Sequence, residues 1–307
     1  MHKAVIYRRF GDSGVLEIVD QLMPEPGPGM VRVRVEYTSV NPVDVKYRMG
    51  VLSDSAELAQ PAMTGMDLAG VVDAVGTDVE GLSVGDRVAG MAPAGSNAEY
   101  VATYAAALTK VPESLDLKLA ATIGVGGSTA VRALGLSKVT TGDLIFVDGA
   151  TGGVGTFLTQ LALSAGLKVV ATASSRNQDY LASLGAIAID YAGDWEAEAA
   201  AAADGATYAA AFDLSTGGKF EALKRLTGNA AKVVTLVDPA VMQGGGILVL
   251  GTEPGFDGAL TQVIEAVATR KVVVPVAAEF QLADIAKAQD LVSGGHVRGK
   301  VIVKVSQ

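Results

Sequence analysis

Residues 144–148 read Leu-Ile-Phe-Val-Asp and run without a break into Gly149-Ala150-Thr151-Gly152-Gly153-Val154-Gly155. Thr156-Phe157-Leu158-Thr159-Gln160-Leu161-Ala162 follows as an amphipathic helix. The stretch is therefore a short buried strand, a glycine turn and a helix. Glycine is needed where the backbone takes a positive φ or must approach a ligand closely. The helix beyond presents unpaired N–H groups and a partial positive charge to whatever occupies the turn. A pyrophosphate meets both demands. Against the G-x-G-x-x-G fingerprint the turn reads Ala150-x-Gly152-x-x-Gly155, with alanine in the first position. Any tight strand-to-helix turn can use glycine, but here a second strand, 168–172, follows the helix. That βαβ context favours a dinucleotide site built from Ala150, Thr151, Gly152, Gly153, Val154 and Gly155.

An NAD site places Asp or Glu about 20 residues downstream, at the tip of the second strand, to hold the ribose 2′-hydroxyl. Here the tip reads Ala171-Thr172-Ala173-Ser174-Ser175-Arg176-Asn177, without an acid. Ala173 stands at the carboxylate's position. Ser174 and Ser175 can donate hydrogen bonds, and Arg176 can pair with a 2′-phosphate as a charge-assisted fork. The pattern points to NADPH in preference to NADH. The plainer alternative is a solvated turn capping a helix that begins near Asn177.

The chain has 307 residues, room for two domains and a sizeable core. Its longest uncharged stretch, 149–167, is the glycine turn plus one helix and is too broken to cross a bilayer. The N-terminus alternates and carries charge, so it reads as a strand and not a signal peptide, and a cytoplasmic protein is expected. With 24 basic and 33 acidic residues the net charge is −9, which argues against nucleic acid or an anionic membrane as partner. There is no cysteine, and His2 and His296 are the only imidazoles. Thiolate nucleophiles, disulfides and iron–sulfur clusters are excluded, and neither a common zinc site nor a Ser-His-Asp triad is expected.

Along the chain, Val31-Arg32-Val33-Arg34-Val35-Glu36-Tyr37 alternates with period two, a half-buried antiparallel strand. Residues 69–76 form a second, 81–88 supply a turn and a third, and 97–103 add another. Pro112 closes this strand-rich region, and Asp116 is a plausible N-cap. Strand and helix then alternate, with strands at 144–148, 168–172, 186–189, 209–214, 232–237 and 247–250 and helices such as 178–184 and 220–226. Such alternation means a doubly wound parallel sheet. Strands at 271–279 and 300–305, around a helix at 282–292, bring the chain back to the first domain.

Five motifs carry a family resemblance. They are Ser39-Val40-Asn41-Pro42-Val43-Asp44-Val45-Lys46, Gly65-Met66-Asp67-Leu68-Ala69-Gly70-Val71-Val72, Val84-Gly85-Asp86-Arg87-Val88, the turn 149–155, and Gly295-His296-Val297-Arg298-Gly299-Lys300. Together they span nearly the whole chain, which resembles the medium-chain dehydrogenase/reductase superfamily, in its zinc-independent quinone oxidoreductase (zeta-crystallin-like) branch. The resemblance implies an α/β protein with a GroES-like β-rich catalytic domain (1–118 and 272–307) and a Rossmann NADPH-binding domain (119–271). It implies NADPH-dependent reduction of a quinone or of the double bond of an α,β-unsaturated carbonyl. A homodimer acting on a small molecule is expected.

Zinc enzymes of the superfamily carry Cys, His and Cys where this chain has Asn41, Met66 and Val125, so no catalytic metal is expected. Donors for the developing oxyanion would be Asn41, Lys46 and Tyr47, on the segment that lines the cleft in relatives. Each also has a plainer role: a turn cap, a solvated charge, a packed aromatic. Thr129 resembles a residue near the nicotinamide and Tyr191 one beside the adenosine 2′-phosphate. Leu52 departs from the pattern, since many relatives have a proton-donating tyrosine there. That departure disfavours an enoyl-thioester reductase, which is the alternative enzyme reading. The alternative of another class is an NADPH-binding structural or regulatory protein without activity.

Overall fold

The computed structural model describes residues 1–215 and 217–306. In chain order the strands are β1 (His2–Tyr7), β2 (Leu16–Gln21), β3 (Met30–Val40), β4 (Ala62–Met63), β5 (Asp67–Val75), β6 (Arg87–Met91), β7 (Tyr100–Tyr104) and β8 (Leu108–Lys110). Then come β9 (Leu144–Asp148), β10 (Lys168–Ala173), β11 (Ile187–Asp190), β12 (Ala210–Asp213), β13 (Val233–Thr235) and β14 (Ile247–Leu248), followed by β15 (Val276–Gln281) and β16 (Lys300–Lys304). The helices are α1 (Pro42–Arg48), α2 (Leu117–Ala120), α3 (Gly124–Ser137), α4 (Gly155–Ser164), α5 (Gln178–Leu184), α6 (Trp195–Ala202), α7 (Phe220–Thr227), α8 (Ala259–Ala268) and α9 (Ile285–Ser293).

The chain forms two compact units. The first comprises Met1–Val125, Leu260–Ala268 and Val274–Gln307; the second comprises Gly126–Ala259 and Thr269–Val273. Most of α8, inside the segment expected to belong wholly to the nucleotide-binding domain, thus belongs to the first unit.

The first unit is β-rich. A three-stranded sheet, β2-β1-β4, accompanies a larger one in the order β15-β16-β3-β5-β6-β8, with β7 also pairing β3. Alternation decides which face is buried: Val31, Val33 and Val35 are fully enclosed while Arg32 and Arg34 point outward. The register of β3 positions the site. Antiparallel pairing matches Val301 with Val40 on one side and Ser39 with Asp67 on the other. Carried one residue further, the first register sets Lys300 opposite Asn41. Residues far apart in sequence thereby meet at one end of three adjacent strands.

The second unit is a six-stranded parallel sheet in the order β11-β10-β9-β12-β13-β14. This is the doubly wound arrangement expected from strand–helix alternation. Ile145, Phe146 and Val147 are all fully buried because helices cover both faces, so a continuous apolar run replaces alternation. The strand order reverses beside β9, and in such sheets ligands bind at the carboxyl ends of the strands at that point.

Some boundaries differ from the sequence reading. Within 81–88 only the end is strand, since Gly81 and Gly85 adopt φ of 78° and 94° and make turns. The strand expected at 97–103 begins at Tyr100, and that expected at 271–279 begins at Val276. The helix expected from 282 opens with a 3₁₀ turn, Leu282–Asp284, before α9.

Candidate functional site

The glycines of the turn after β9 serve different purposes. Gly149 sits at φ 77°, where an L side chain is strained. A Cβ on Gly155 would lie 2.2 Å from the Gly149 carbonyl oxygen, so close packing of the turn on α4 demands glycine there. Gly152 has neither reason. Its φ is not in the left-handed region, and a Cβ would meet only the Gly149 oxygen, at 3.4 Å. A third use of glycine in such a turn is to let a ligand approach the backbone. The adjoining helix end suits an anion: Val154 is its N-cap, with no side-chain cap bond. Thus Gly152, Gly153, Val154 and Gly155 form a cradle that fits a pyrophosphate. Ala150 and Thr151 are buried beneath it, with the Ala150 N–H donating to the Thr172 carbonyl at 3.3 Å. Helix α3 approaches the turn at Gly126, whose Cβ would lie 2.7 Å from the Gly153 oxygen; Thr129, three residues on, is half-buried.

At the tip of β10, Ala173 is buried, Ser174 is half-buried, and Ser175 and Arg176 are exposed. β11 lies alongside, with Ala173 in register with Asp190, and the Tyr191 N–H donates to the Ala173 oxygen at 3.3 Å. Tyr191 is therefore brought to the same rim. So is Asp190, an acid the sequence reading did not place there; its carboxylate accepts the Ala192 N–H at 3.0 Å. Beneath the rim, Asp148 ties the end of β9 to β10 and to Ser215 and Lys219, which follow β12. It accepts from Thr172 Oγ1 at 2.6 Å, from the Ser215 hydroxyl and from Lys219 Nζ at 2.7 Å. Asp213 lies next to it in register across β12, and burial pushes its carboxyl up, with Asp148 adding to the shift.

In the first unit a second constellation centres on Asp67, which is fully buried. Asp67 Oδ2 accepts from Ser39 Oγ at 2.6 Å, Asn41 Nδ2 at 2.8 Å and Lys300 Nζ at 3.1 Å. Its Oδ1 accepts the Val125 N–H at 2.6 Å, near the start of α3. The neighbouring glycine is obligatory, because a Cβ on Gly124 would come 2.4 Å from that oxygen. Asn41 is N-cap of α1. Its backbone N–H donates to Asp44 Oδ2 at 2.7 Å, while its amide oxygen accepts from Lys300 Nζ at 2.5 Å.

Asn41, Met66 and Val125 offer a divalent metal an amide, a thioether and an aliphatic side chain, a set unlike any common zinc site. The Asn41 oxygen already holds an ammonium, whose charge would repel a dication. The residues present do not fit zinc. Among the described residues no group of three or more His, Asp or Glu could hold a metal ion. Lys46 is half-buried and Tyr47 half exposed, on the same short helix as Asn41. Arg48, at its end, is buried; it donates to the Gly11 carbonyl at 3.2 Å and to Gln289 Oε1 at 2.8 Å. Gln289 in turn donates to Thr64 Oγ1 at 2.9 Å.

Lys300, Asp67 and Ser39 were missed as site residues. The available signal was weak, a charge at the head of each of two strands that carry a second charge further on, at Asp73 and Lys304.

Two family models match the chain: the alcohol dehydrogenase GroES-like domain over residues 27–113 and the zinc-binding dehydrogenase over 184–303. Between them the two models take in most of the chain, which is similar to the medium-chain dehydrogenase/reductase superfamily and, within it, to proteins named quinone oxidoreductase. Among these, human quinone oxidoreductase is 38% identical over 176 residues, covering 56% of this chain and 53% of that protein. A mycocerosic acid synthase-like polyketide synthase of Mycobacterium tuberculosis is 38% identical over 177 residues, 57% of this chain and 8% of the synthase. The match thus spans about half of the human enzyme and a small part of the synthase. Solved structures match over more of the chain. The quinone oxidoreductase from Coxiella burnetii aligns with a TM-score of 0.88 at 29% identity, covering 99% of both chains. A mycobacterial relative complexed with NADPH aligns with a TM-score of 0.84 at 25% identity, covering 99% of this chain and 100% of that one. Among the described residues no helix is long and apolar enough to cross a membrane.

Proposed function

We propose that the protein is a zinc-independent, NADPH-dependent oxidoreductase that reduces a quinone or the double bond of an α,β-unsaturated carbonyl. The observation that carries this reading is Gly152, a glycine at a helix N-terminus that neither backbone conformation nor protein packing requires. Relatives named quinone oxidoreductase, and one solved with NADPH, support the reaction class and the nicotinamide cofactor.

The choice of NADPH rests on Ala173, Ser174, Ser175 and Arg176. A buried alanine stands where an acid would repel a 2′-phosphate, and two hydroxyls and an arginine follow it. Tyr191, on the neighbouring strand's exit, and Thr129, on α3, complete the proposed cofactor set. Bound NADPH supplies the hydride. The protein's share is to hold the reacting atoms within about 3–3.5 Å of each other and to offer donors to the developing oxyanion. We assign the donor role to the Asn41 amide, with the Lys46 ammonium and the Tyr47 hydroxyl as neighbours on α1. Leu52 supplies no acid, so the proton comes from Tyr47 or from water; a quinone, whose product needs no positioned acid, suits this better than an enoyl thioester. A cytoplasmic homodimer remains our expectation for the assembly, and light scattering of the purified protein tests the dimer.

The deciding experiment is rapid-mixing oxidation of NADPH against quinones, enals, enones and crotonyl thioesters. Turnover with quinones or enones supports the reading. Turnover confined to thioesters makes the protein an enoyl-thioester reductase, and NADPH binding without turnover makes it a binding protein. Asn41→Ala should lower kcat by up to about 100-fold and leave NADPH affinity nearly intact. Tyr47→Phe should slow enones selectively if its hydroxyl is the acid.

A further inference from the structure

Asn41 is an amide, and an amide can be turned either way round. Exchanging its oxygen and nitrogen conserves shape but turns a donor into an acceptor. Two charged groups bear on that choice. Lys300 Nζ lies 2.5 Å from Oδ1 and carries only donors, so it tolerates nothing but an acceptor there. Asp67 Oδ2 lies 2.8 Å from Nδ2 and accepts. Both charged side chains are almost wholly buried, at 2% and 0% exposure, and Lys300 also closes on Asp67 at 3.1 Å. Little water competes for these bonds, so their directionality is strong.

We infer that Lys300 is a positioning residue: its buried ammonium, clamped between Asn41 and Asp67, locks the Asn41 amide with its N–H groups directed away from β16. Asp67 takes one of the two N–H groups, and the other is the donor that the proposed reaction uses. The inference rests on the assignment of Asn41 above. It extends it by giving the orienting role to a residue 259 positions away in sequence. Lys300 itself touches neither substrate nor cofactor in this scheme.

The chain contains four asparagines, so ¹⁵N-asparagine labelling of the full protein gives four side-chain NH₂ pairs, and Asn41→Ala identifies the one from residue 41. Lys300→Met should shift or broaden that pair and lower kcat about tenfold or more, with the NADPH dissociation constant within about twofold of wild type. Lys300→Arg, which restores a cation, should recover most of both. In the Asn41→Ala background Lys300→Met should cost no further turnover. Should Lys300→Met not fold, the Lys300→Met/Asp67→Asn pair removes both charges together, a change buried ion pairs tolerate better, and carries the same expectations. An Asn41 pair that stays in place in the folded variant, with unchanged kcat, overturns the inference whatever Asn41→Ala does. A silent Asn41→Ala with a displaced Asn41 pair in Lys300→Met instead overturns the catalytic reading and leaves the orienting role standing.

Discussion

Lys219 holds its ammonium 2.7 Å from the carboxylate of Asp148, the last residue of β9 before the glycine turn. Asp148 is buried and Lys219 largely so, and the same ammonium lies 5.5 Å from the ring centre of Trp195. Lys219→Met leaves a buried carboxylate without its cation and should cost about 3 kcal/mol of stability. Asp148→Asn removes the charge, keeps one oxygen for the Thr172 hydroxyl and Lys219, and turns an NH₂ toward the Ser215 hydroxyl, which can accept from it; it should cost less, about 1 kcal/mol. Urea unfolding followed by the fluorescence of Trp195, the only tryptophan, reads both directly.

The turn glycines separate binding from folding. Gly152→Ala should leave the unfolding midpoint within about 0.5 kcal/mol of wild type, since its Cβ meets one oxygen at 3.4 Å. It should nevertheless weaken NADPH about tenfold or more, because the added methyl stands where the phosphate approaches. Gly155→Ala should destabilise the fold by about 1–3 kcal/mol, its Cβ being forced onto the Gly149 oxygen at 2.2 Å. Calorimetric titration beside thermal melts checks the pair, and equal behaviour of the two variants contradicts the assignment.

In the proposed function, cofactor choice is assigned to Arg176. Its replacement by alanine should weaken NADPH by roughly 1.5–3 kcal/mol, the scale of a charged hydrogen bond, and leave NADH almost unchanged. Parallel fluorescence titrations with the two cofactors measure this. Equal loss for both would make Arg176 a structural residue.

The strand, glycine turn and helix at 144–164 were legible in sequence because the unit is local, continuous along one short stretch of chain. The parallel sheet was legible for a similar reason, through the alternation of short apolar runs with helical spacing. The Asp67 centre was not. Ser39, Asn41, Asp67 and Lys300 come together only through the registers of β16 and β5 on β3. In Lys-Val-Ile-Val-Lys, both lysines read as the charged ends of an ordinary strand, and only the fold shows that Lys300 is buried and Lys304 is not. Asp190 escaped for the same reason: it stands beside Ala173 across two strands, not at the tip where a ribose-binding acid is sought.

Stability should also carry a pH signature from α1. Asp44 is wholly buried, with Oδ1 lacking a hydrogen-bond partner among the described residues. Burial pushes its carboxyl up to about 7 and nearby Asp67 adds to this, while the Asn41 N–H and Lys300 pull it back. The native state therefore holds a proton that the unfolded chain releases near pH 4. Stability should fall as pH rises from about 4 through about 7, and level off above. Asp44→Asn can still accept the Asn41 N–H and should abolish that fall. Urea midpoints of both proteins across this pH range test it, and parallel curves would show that Asp44 does not titrate in the window.

Lys300 also fixes an order of events during synthesis. The ribosome makes Ser39, Asn41 and Asp67 early, yet the ammonium that completes their network emerges only after the whole parallel-sheet unit has been made. Until then Asp67 has no cation, and β3 lacks β16, its neighbour on that side. A nascent chain stalled before residue 300 thus carries an uncompensated carboxylate where the finished protein has an ion pair. Its β-rich unit, first to be translated, is the last to be finished.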